Sequence, residues 1–346
     1  MGKNKRHFSH VLQYLGRFFA FLGLTLLCVC LLLVGVVWIF EKGPSPTLTA
    51  AFCSSVRETS ALRWIPGVFL SEEELSVILQ TPTSDMDTEP VNTSLIRIAA
   101  SQSEEQTEQE LELIDISYGN CKGKLLIVPD PKRVMLGVCG KFSRDPGMQL
   151  TDLVAKYDGI AGINAGGFVD DNGLGSGGTP LGLVITDGEL IFGNKNARYN
   201  VIGLDEDGVL IVGTMTGAEA LEAGIVWGVS FVTHDGIASS LIINGEVQTQ
   251  NLGPGVNPRT AIGQREDGAL LLLVLDGRGV KTLGATLENV CDLMLQYGAV
   301  NAGNLDGGSS SVMVYGGEIV NVCASVTGPR SIPTAFIVLK EAPDHD

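Results

Sequence analysis

Hydrophobic positions change their period along this chain, and each change marks a different kind of element. From Phe18 to Phe40 no residue carries a formal charge and the run is apolar on every side. Such a pattern fits a helix surrounded by lipid, and at about 1.5 Å of rise per residue it covers roughly 30 Å of hydrocarbon. Lys3, Lys5, Arg6 and Arg17 precede the run, whereas only Lys42 follows closely. That asymmetry puts residues 1–17 in the cytoplasm and everything after Glu41 outside. The run is longer than the apolar part of a cleaved signal peptide, about 7–15 residues, which argues for a retained anchor over 18–40.

After the span the apolar pattern weakens. Gly43-Pro44-Ser45-Pro46 reads as a stiff exit from the membrane, and the spacing predicts a short helix near Glu72 to Gln80. Residues 81–110 are rich in Thr, Ser, Glu and Gln with few aromatics, the composition of a mobile segment, so 41–110 is expected to form an extracytoplasmic stalk.

From Leu111 onward short apolar runs alternate with Gly, Asp and Asn. Lys124–Val128, Arg133–Val138, Leu181–Thr186, Val209–Val212, Ser240–Ile243, Ala269–Leu275, Ser311–Tyr315 and Ile332–Leu339 read as strands. Asp187-Gly188, Asp207-Gly208, Asn244-Gly245 and Asp267-Gly268 supply tight turns between them. The strongest helical stripe is Leu287, Val290, Cys291 and Met294, with Thr286 as N-cap and Gly298 as stop; a second helix is expected near Leu150–Tyr157. The expected fold class is therefore α+β, a strand-rich mixed-sheet domain with few helices over 111–342, preceded by one transmembrane helix.

Composition narrows the function. The chain has 346 residues and a formal charge of -16, which excludes nucleic acid as a partner and excludes a surface held on anionic lipid by basic residues. Of seven cysteines, Cys28 and Cys30 lie in the span; Cys53, Cys121, Cys139, Cys291 and Cys323 lie beyond it. No CxxC or Cys/His zinc spacing occurs, so buried thiols are expected, with Cys121–Cys139 as the candidate disulfide. Beyond the membrane the histidines are His234 and His345, too little material for a His-based nucleophile system, although His234 remains a candidate partner.

The candidate chemistry therefore rests on carboxylates, arginines and glycine-rich turns. One place is Gly162-Ile163-Asn164-Ala165-Gly166-Gly167-Phe168, where small residues let backbone amides approach a ligand. A second is Asn257-Pro258-Arg259-Thr260-Ala261-Ile262-Gly263, which offers a guanidinium fork suited to phosphate or carboxylate. A third, Leu275-Asp276-Gly277-Arg278-Gly279, puts an acid and a guanidinium two residues apart. The fourth, Asn301 to Ser311, places Asp306, Gly307 and Gly308 before three serines, a tight turn that aims the acid outward beside N–H and O–H donors.

In this order, INAGGF, a Pro-Leu-Gly strand, NPRTAIG, LDGRG, GATLENVCDLMLQYGAVNAGNLDGGSSS and Pro329-Arg330-Ser331-Ile332-Pro333, the chain resembles the phosphodiester glycosidase family from about Gly119 to Leu339. The resemblance implies hydrolysis of the bond between a sugar anomeric carbon and a phosphodiester oxygen. A phosphate monoester leaves readily, so the site needs donors for phosphate and a carboxylate that stabilises the anomeric carbon or activates water. Asp306 and Asp276 are the catalytic candidates. Asn164, Gly166, Gly167, Arg259, Thr260, Arg278, Asn304, Gly307, Gly308, Ser309 and Arg330 are the binding candidates. A divalent cation held by Asp306 or Asp276 fits the same residue types, with no ligand set assigned. The expected partner is a phosphate-linked glycan or cell-wall polymer, met by a single-pass protein of the cell membrane. A glycan-binding module without turnover and a metal-dependent phosphodiesterase that breaks the P–O bond are the alternatives.

Protease added to intact cells is expected to remove the bulk of the protein and leave a small membrane fragment. A fully protected chain reverses the orientation.

Overall fold

The computed structural model describes residues 2–59, 61–79, 88–98, 110–170, 175–231, 239–248, 252–279, 282–325 and 328–342. His234 and His345 lie outside them, as do Asp171 and Gly173 just after the first glycine-rich place and parts of the expected mobile segment, 81–87 and 99–109. Helix α1 (Gly2–Lys42) contains a stretch, Gln13–Lys42, long and apolar enough to cross a membrane; most of it is uncovered by the rest of the protein, and Glu41 at its end is buried. It leads into α2 (Pro46–Arg57), capped by the Ser45 hydroxyl with Pro46 at its first position, and then into α3 (Glu72–Leu79). The stiff exit is thus a helix start. Cys53, Leu70 and Leu75 are buried between these two helices, with Phe52 and Ile78 packed against them.

Three antiparallel sheets form the rest. The first runs β1 (Glu112–Tyr118), β2 (Cys121–Val128), β13 (Leu270–Leu275), β12 (Arg259–Arg265), β14 (Ala299–Asn304), β10 (Ser240–Ile243), β11 (Glu246–Val247). The second runs β16 (Glu318–Ile319), β15 (Met313–Tyr315), β4 (Gly159–Asn164), β17 (Thr334–Leu339), β3 (Val134–Val138). The third runs β6 (Glu189–Phe192), β5 (Val184–Thr186), β9 (Ile225–Ser230), β7 (Arg198–Asp205), β8 (Leu210–Thr216). Helices α4 (Leu150–Lys156), α5 (Gly217–Glu222) and α6 (Leu287–Gln296) complete the domain.

The central core is where the three sheets meet, joining Leu126 and Leu272 of the first, Ile163 and Phe336 of the second, and Val184 and Ile202 of the third. Strand β13 shows how the sequence dictates this. All six of its residues are buried, with Leu270, Leu272 and Val274 facing the central core and Leu271, Leu273 and Leu275 facing α6 through Val290 and Met294. Period-two alternation between two covered faces reads in the sequence as a continuous apolar run.

Two units share one layout. Helix α4 ends at Tyr157 and feeds β4, which ends on Asn164; α6 ends at Tyr297 and feeds β14, which ends on Asn304. Sequence reasoning treated both Gly/Asn-rich strands as loops, because Gly and Asn are poor strand formers. Close packing requires the glycines here: a Cβ at Gly162 would lie 2.8 Å from the Phe336 carbonyl oxygen, and one at Gly303 would lie 2.8 Å from Ile202.

Within the expected stalk, residues 88–98 are tied to the domain. Thr214 N–H donates to Thr88 Oγ1 (3.0 Å), Asn92 N–H to Asn244 Oδ1 (2.7 Å) and Arg97 N–H to the Glu266 carbonyl (2.7 Å). No disulfide forms: Cys121 and Cys139 are both free, and the buried Cys121 thiol lies against the Gly284 carbonyl and Asn289.

Phe336 is fully buried where the second sheet meets the core. Phe336→Ala is expected to lower unfolding free energy by about 3–5 kcal/mol in denaturant titration, through lost burial and the cavity left behind.

Candidate active site

The sequence motifs converge at the carboxyl-terminal ends of β4 and β14 and the amino-terminal end of β12, and the fastening residue is Asn164. Its amide donates to the Asp306 carbonyl, while its Oδ1 accepts from Thr260 Oγ1 (2.9 Å) and Val312 N–H (3.1 Å). Asn164 and Thr260 are buried, and these hydrogen bonds join their side chains to the scaffold. The loop they carry is pinned further by Asp306 N–H to the Ala165 carbonyl (3.0 Å), Leu305 N–H to Thr260 (2.8 Å) and Gly308 N–H to Pro258 (2.9 Å). Gly308 has φ +64, and a Cβ at Gly307 would meet the Pro258 carbonyl oxygen at 2.8 Å, so both glycines are set by this crossing. Gly166 and Gly167 likewise sit against Val229 and Phe231. Ser309 lies on the same turn, its carbonyl approached by the Cys323 thiol.

Asp306 is more enclosed than an outward-aimed turn residue. The residue is half-buried, and burial raises its carboxyl from 3.8 to about 7, against the pull of the Ser310 hydroxyl and Arg330 and with a push from Asp170. Arg330 makes a bidentate pair with Asp170 (2.7 and 2.9 Å), donates to the Gly175 carbonyl (3.1 Å) and lies 4.7 Å over the Phe168 ring. In the sequence Asp170 follows the first glycine-rich place, with no role assigned to it. The glycine cluster around it drew attention to the backbone and away from the acid.

On the other side of the Gly307-Gly308 turn lie the two remaining arginines. Arg259, 3% exposed, pairs with Glu58, 8% exposed, through Nη1 (2.7 Å) and Nη2 (3.3 Å). It also donates to the Gly255 (2.7 Å) and Ala285 (3.1 Å) carbonyls. Arg278 donates to Thr59 Oγ1 (2.7 Å) and Asn257 Oδ1 (3.0 Å), and a Cβ at Gly308 would lie 3.4 Å from its Nη2. The sequence assigned this fork to phosphate; in this structure a carboxylate from the end of α2 fills it. Glu58 was missed because its partner is 201 positions away.

Asp276 is buried at the end of β13 and accepts from Val322 N–H (2.9 Å) and Asn321 Nδ2 (3.4 Å). Burial raises its pKa, with those two bonds opposing. Asn321 also donates to the Ser311 carbonyl (3.2 Å), so Asp276 braces the far end of the Asp306 loop. Among the described residues no three Asp, Glu, His or Cys side chains gather as a metal site, and neither acid is assigned a cation. Asn304 ends β14 fully buried, and neither atom of its amide has a hydrogen-bond partner among the described residues. An unmet amide beside Asp306 suits an ordered water or a ligand hydroxyl.

Apart from Glu58 and Thr59, this arrangement of carboxylate, guanidiniums and glycine turn falls within residues 157–339, which match the sequence model of the phosphodiester glycosidases. The chain belongs to the phosphodiester glycosidase family. The mouse N-acetylglucosamine-1-phosphodiester alpha-N-acetylglucosaminidase is 30% identical over 167 residues, 41% of this chain and 30% of the mouse protein. A SPbeta prophage-derived uncharacterized protein of Bacillus subtilis is 43% identical over 65 residues, 19% of this chain and 10% of its own. The chain thus spans less than a third of either relative. Among solved structures, the zebrafish N-acetylglucosamine-1-phosphodiester alpha-N-acetylglucosaminidase catalytic domain, described as auto-inhibited by its pro-peptide, shares the fold. Its TM-score is 0.54 at 22% identity, covering 71% of this chain and 87% of that one.

A carboxyl raised from 3.8 to about 7 favours folding fully below pH 3.8 and loses that contribution as pH rises through about 7. Asp306→Asn is therefore expected to raise Tm relative to the parent increasingly from pH 4 to pH 8. Equal Tm differences across that range would mean the carboxyl is not enclosed.

Proposed function

We propose that this phosphodiester glycosidase is a single-pass cell-membrane hydrolase whose outer domain cleaves the anomeric carbon–oxygen bond of sugar-1-phosphodiesters in surface glycans or cell-wall polymers. The observation that carries the reading is Asp306, a carboxyl raised to about 7, set between Arg330–Asp170 and the Arg259–Arg278 pair. In its ionised form Asp306 takes a proton from water as the water oxygen bonds to the anomeric carbon. The glycosidic bond breaks with its electron pair going to the phosphate oxygen, and the products are free sugar and a phosphate monoester.

Arg259 and Arg278 offer the donors that hold the phosphate, since a guanidinium fork matches phosphate as it matches the Glu58 carboxylate. Asn304 is placed to bind the water or a sugar hydroxyl, and Arg330 limits the charge that accumulates at Asp306. Asp276 acts at one remove, by fixing the segment at Asn321 and Val322. On this reading Glu58 occupies the phosphate position, and substrate enters when the end of α2 withdraws.

Asp306→Asn should lower kcat/KM on an alkyl sugar-1-phosphodiester by on the order of 10²–10⁴-fold, typical of losing a proton-transfer group. In the parent, kcat/KM should rise with pH up to about 7 and then level off, because the ionised carboxyl is the active form. Release of sugar phosphate plus alcohol would instead identify a phosphodiesterase, and near-parental turnover by the variant would remove Asp306 from the chemistry.

Glu58→Ala tests the occupied fork. Activity should rise, and the gain should vanish when Arg259→Ala is added. If the pair is only structural, the variant instead loses roughly 3–5 kcal/mol of stability, the typical effect of stranding a buried charge, with no gain in turnover.

A further inference from the structure

We propose that the turn between α2 and α3 is a second membrane contact, in which Leu62, Trp64 and Val68 enter the boundary between headgroups and acyl chains of the outer leaflet. The proposal rests on the reading of α1 as a membrane span. Four contacts fix the height of this turn relative to that helix. Phe69 N–H donates to Glu41 Oε2 (3.1 Å), Lys42 Nζ pairs with Glu74 (2.8 Å), Thr49 Oγ1 donates to the Phe40 carbonyl (2.8 Å), and the Phe40 and Phe52 rings stack at 4.8 Å. The uncharged part of α1 ends at Phe40, so whatever is fastened to Glu41 sits at the level where hydrocarbon gives way to headgroups.

The side chains of the turn divide by role. Pro66 and Leu70 are buried, and Leu70 joins Cys53 and Leu75 in the small core beneath. Leu62, Trp64 and Val68, at 45%, 66% and 47% exposure, are not needed for that core. Three uncovered apolar groups within seven positions, one of them tryptophan, suit the interfacial zone, where an indole places its ring among lipid and its N–H near water. The preceding residues are Glu58 and Thr59, which contact Arg259 and Arg278. Lipid contact at Leu62 therefore holds the arginine pair near the membrane surface, so that the site addresses glycan phosphodiesters presented close to the bilayer.

The chain has three tryptophans, Trp38, Trp64 and Trp227, which makes the proposal readable by fluorescence. The full chain carrying Trp38→Phe and Trp227→Phe, reconstituted in phosphatidylcholine vesicles with brominated acyl chains, reports Trp64 alone. A sister chain carrying Trp64→Phe and Trp227→Phe reports the span. Both emissions should be strongly quenched relative to unbrominated vesicles, with Trp64 blue-shifted from its value in water. Quenching of Trp38 without quenching of Trp64 overturns the proposal and leaves the span intact. If neither is quenched the span itself fails, and the proposal falls with it. The unmutated chain gives an independent reading: photoreactive phospholipid should label the peptide containing residues 61–69, and labelling confined to α1 overturns the proposal even if the tryptophan variants misfold.

Discussion

The side chain of Asn164 ties the site together. A buried carboxamide must satisfy both its donor and its acceptor or leave a costly orphan, and here it does so only by bonding Thr260 of β12, the amide of Val312 and the carbonyl of Asp306 at once. Those partners come from the first sheet and from the loop that leaves β14. One amide thus fixes where a strand of the second sheet meets the first sheet, and sets the direction in which the Asp306 loop emerges. The crossing at Pro258 then leaves no room for a Cβ at Gly307, so the loop has essentially one path.

Two of the three guanidiniums around that loop are paired with carboxylates, because few charges can be buried singly. Arg330 is compensated by Asp170 and Arg259 by Glu58, each through two hydrogen bonds. Among the described residues Asp306 has no such bidentate partner. Arg330 is already engaged by Asp170, so its pull on Asp306 is incomplete and burial dominates. An acid left partly uncompensated, near a guanidinium fork that holds the Glu58 carboxylate, is an electrostatic pattern met at functional sites as well as in structural ion pairs.

The collar of α2, the following turn and α3 connects this electrostatics to the apolar helix α1. Glu58 and Thr59 reach the arginine pair, while Glu41 and Lys42 at the end of α1 hold Phe69 and Glu74. A short helical segment therefore contacts both the apolar helix and the arginine pair.

Much of this was written locally. The charge-free run before Phe40, the hairpin glycines, the Thr286 cap with its stripe on α6, and the unbroken apolar run of β13 each follow from residue types at fixed spacing, and all appear in the fold. The motif order likewise marked Asp306, Arg259, Arg278 and Arg330 as neighbours of a site. What spacing could not reveal is where a polar group spends its hydrogen bonds. Asn164 and Thr260 stand in the sequence as binding candidates and Asp276 as a catalytic one, and the side-chain hydrogen bonds found for them go to the scaffold. Glu58 and Asp170 look unremarkable and complete the two guanidinium pairs. The strands at Gly159–Asn164 and Ala299–Asn304 were hidden for the same reason, since low intrinsic strand preference was overruled by close packing that only glycine permits. Local pattern determines which elements form, because backbone geometry and burial periodicity are short-range. The tertiary structure decides which charges and amides are free to act, because their partners lie tens to hundreds of positions away and desolvation makes every pairing consequential.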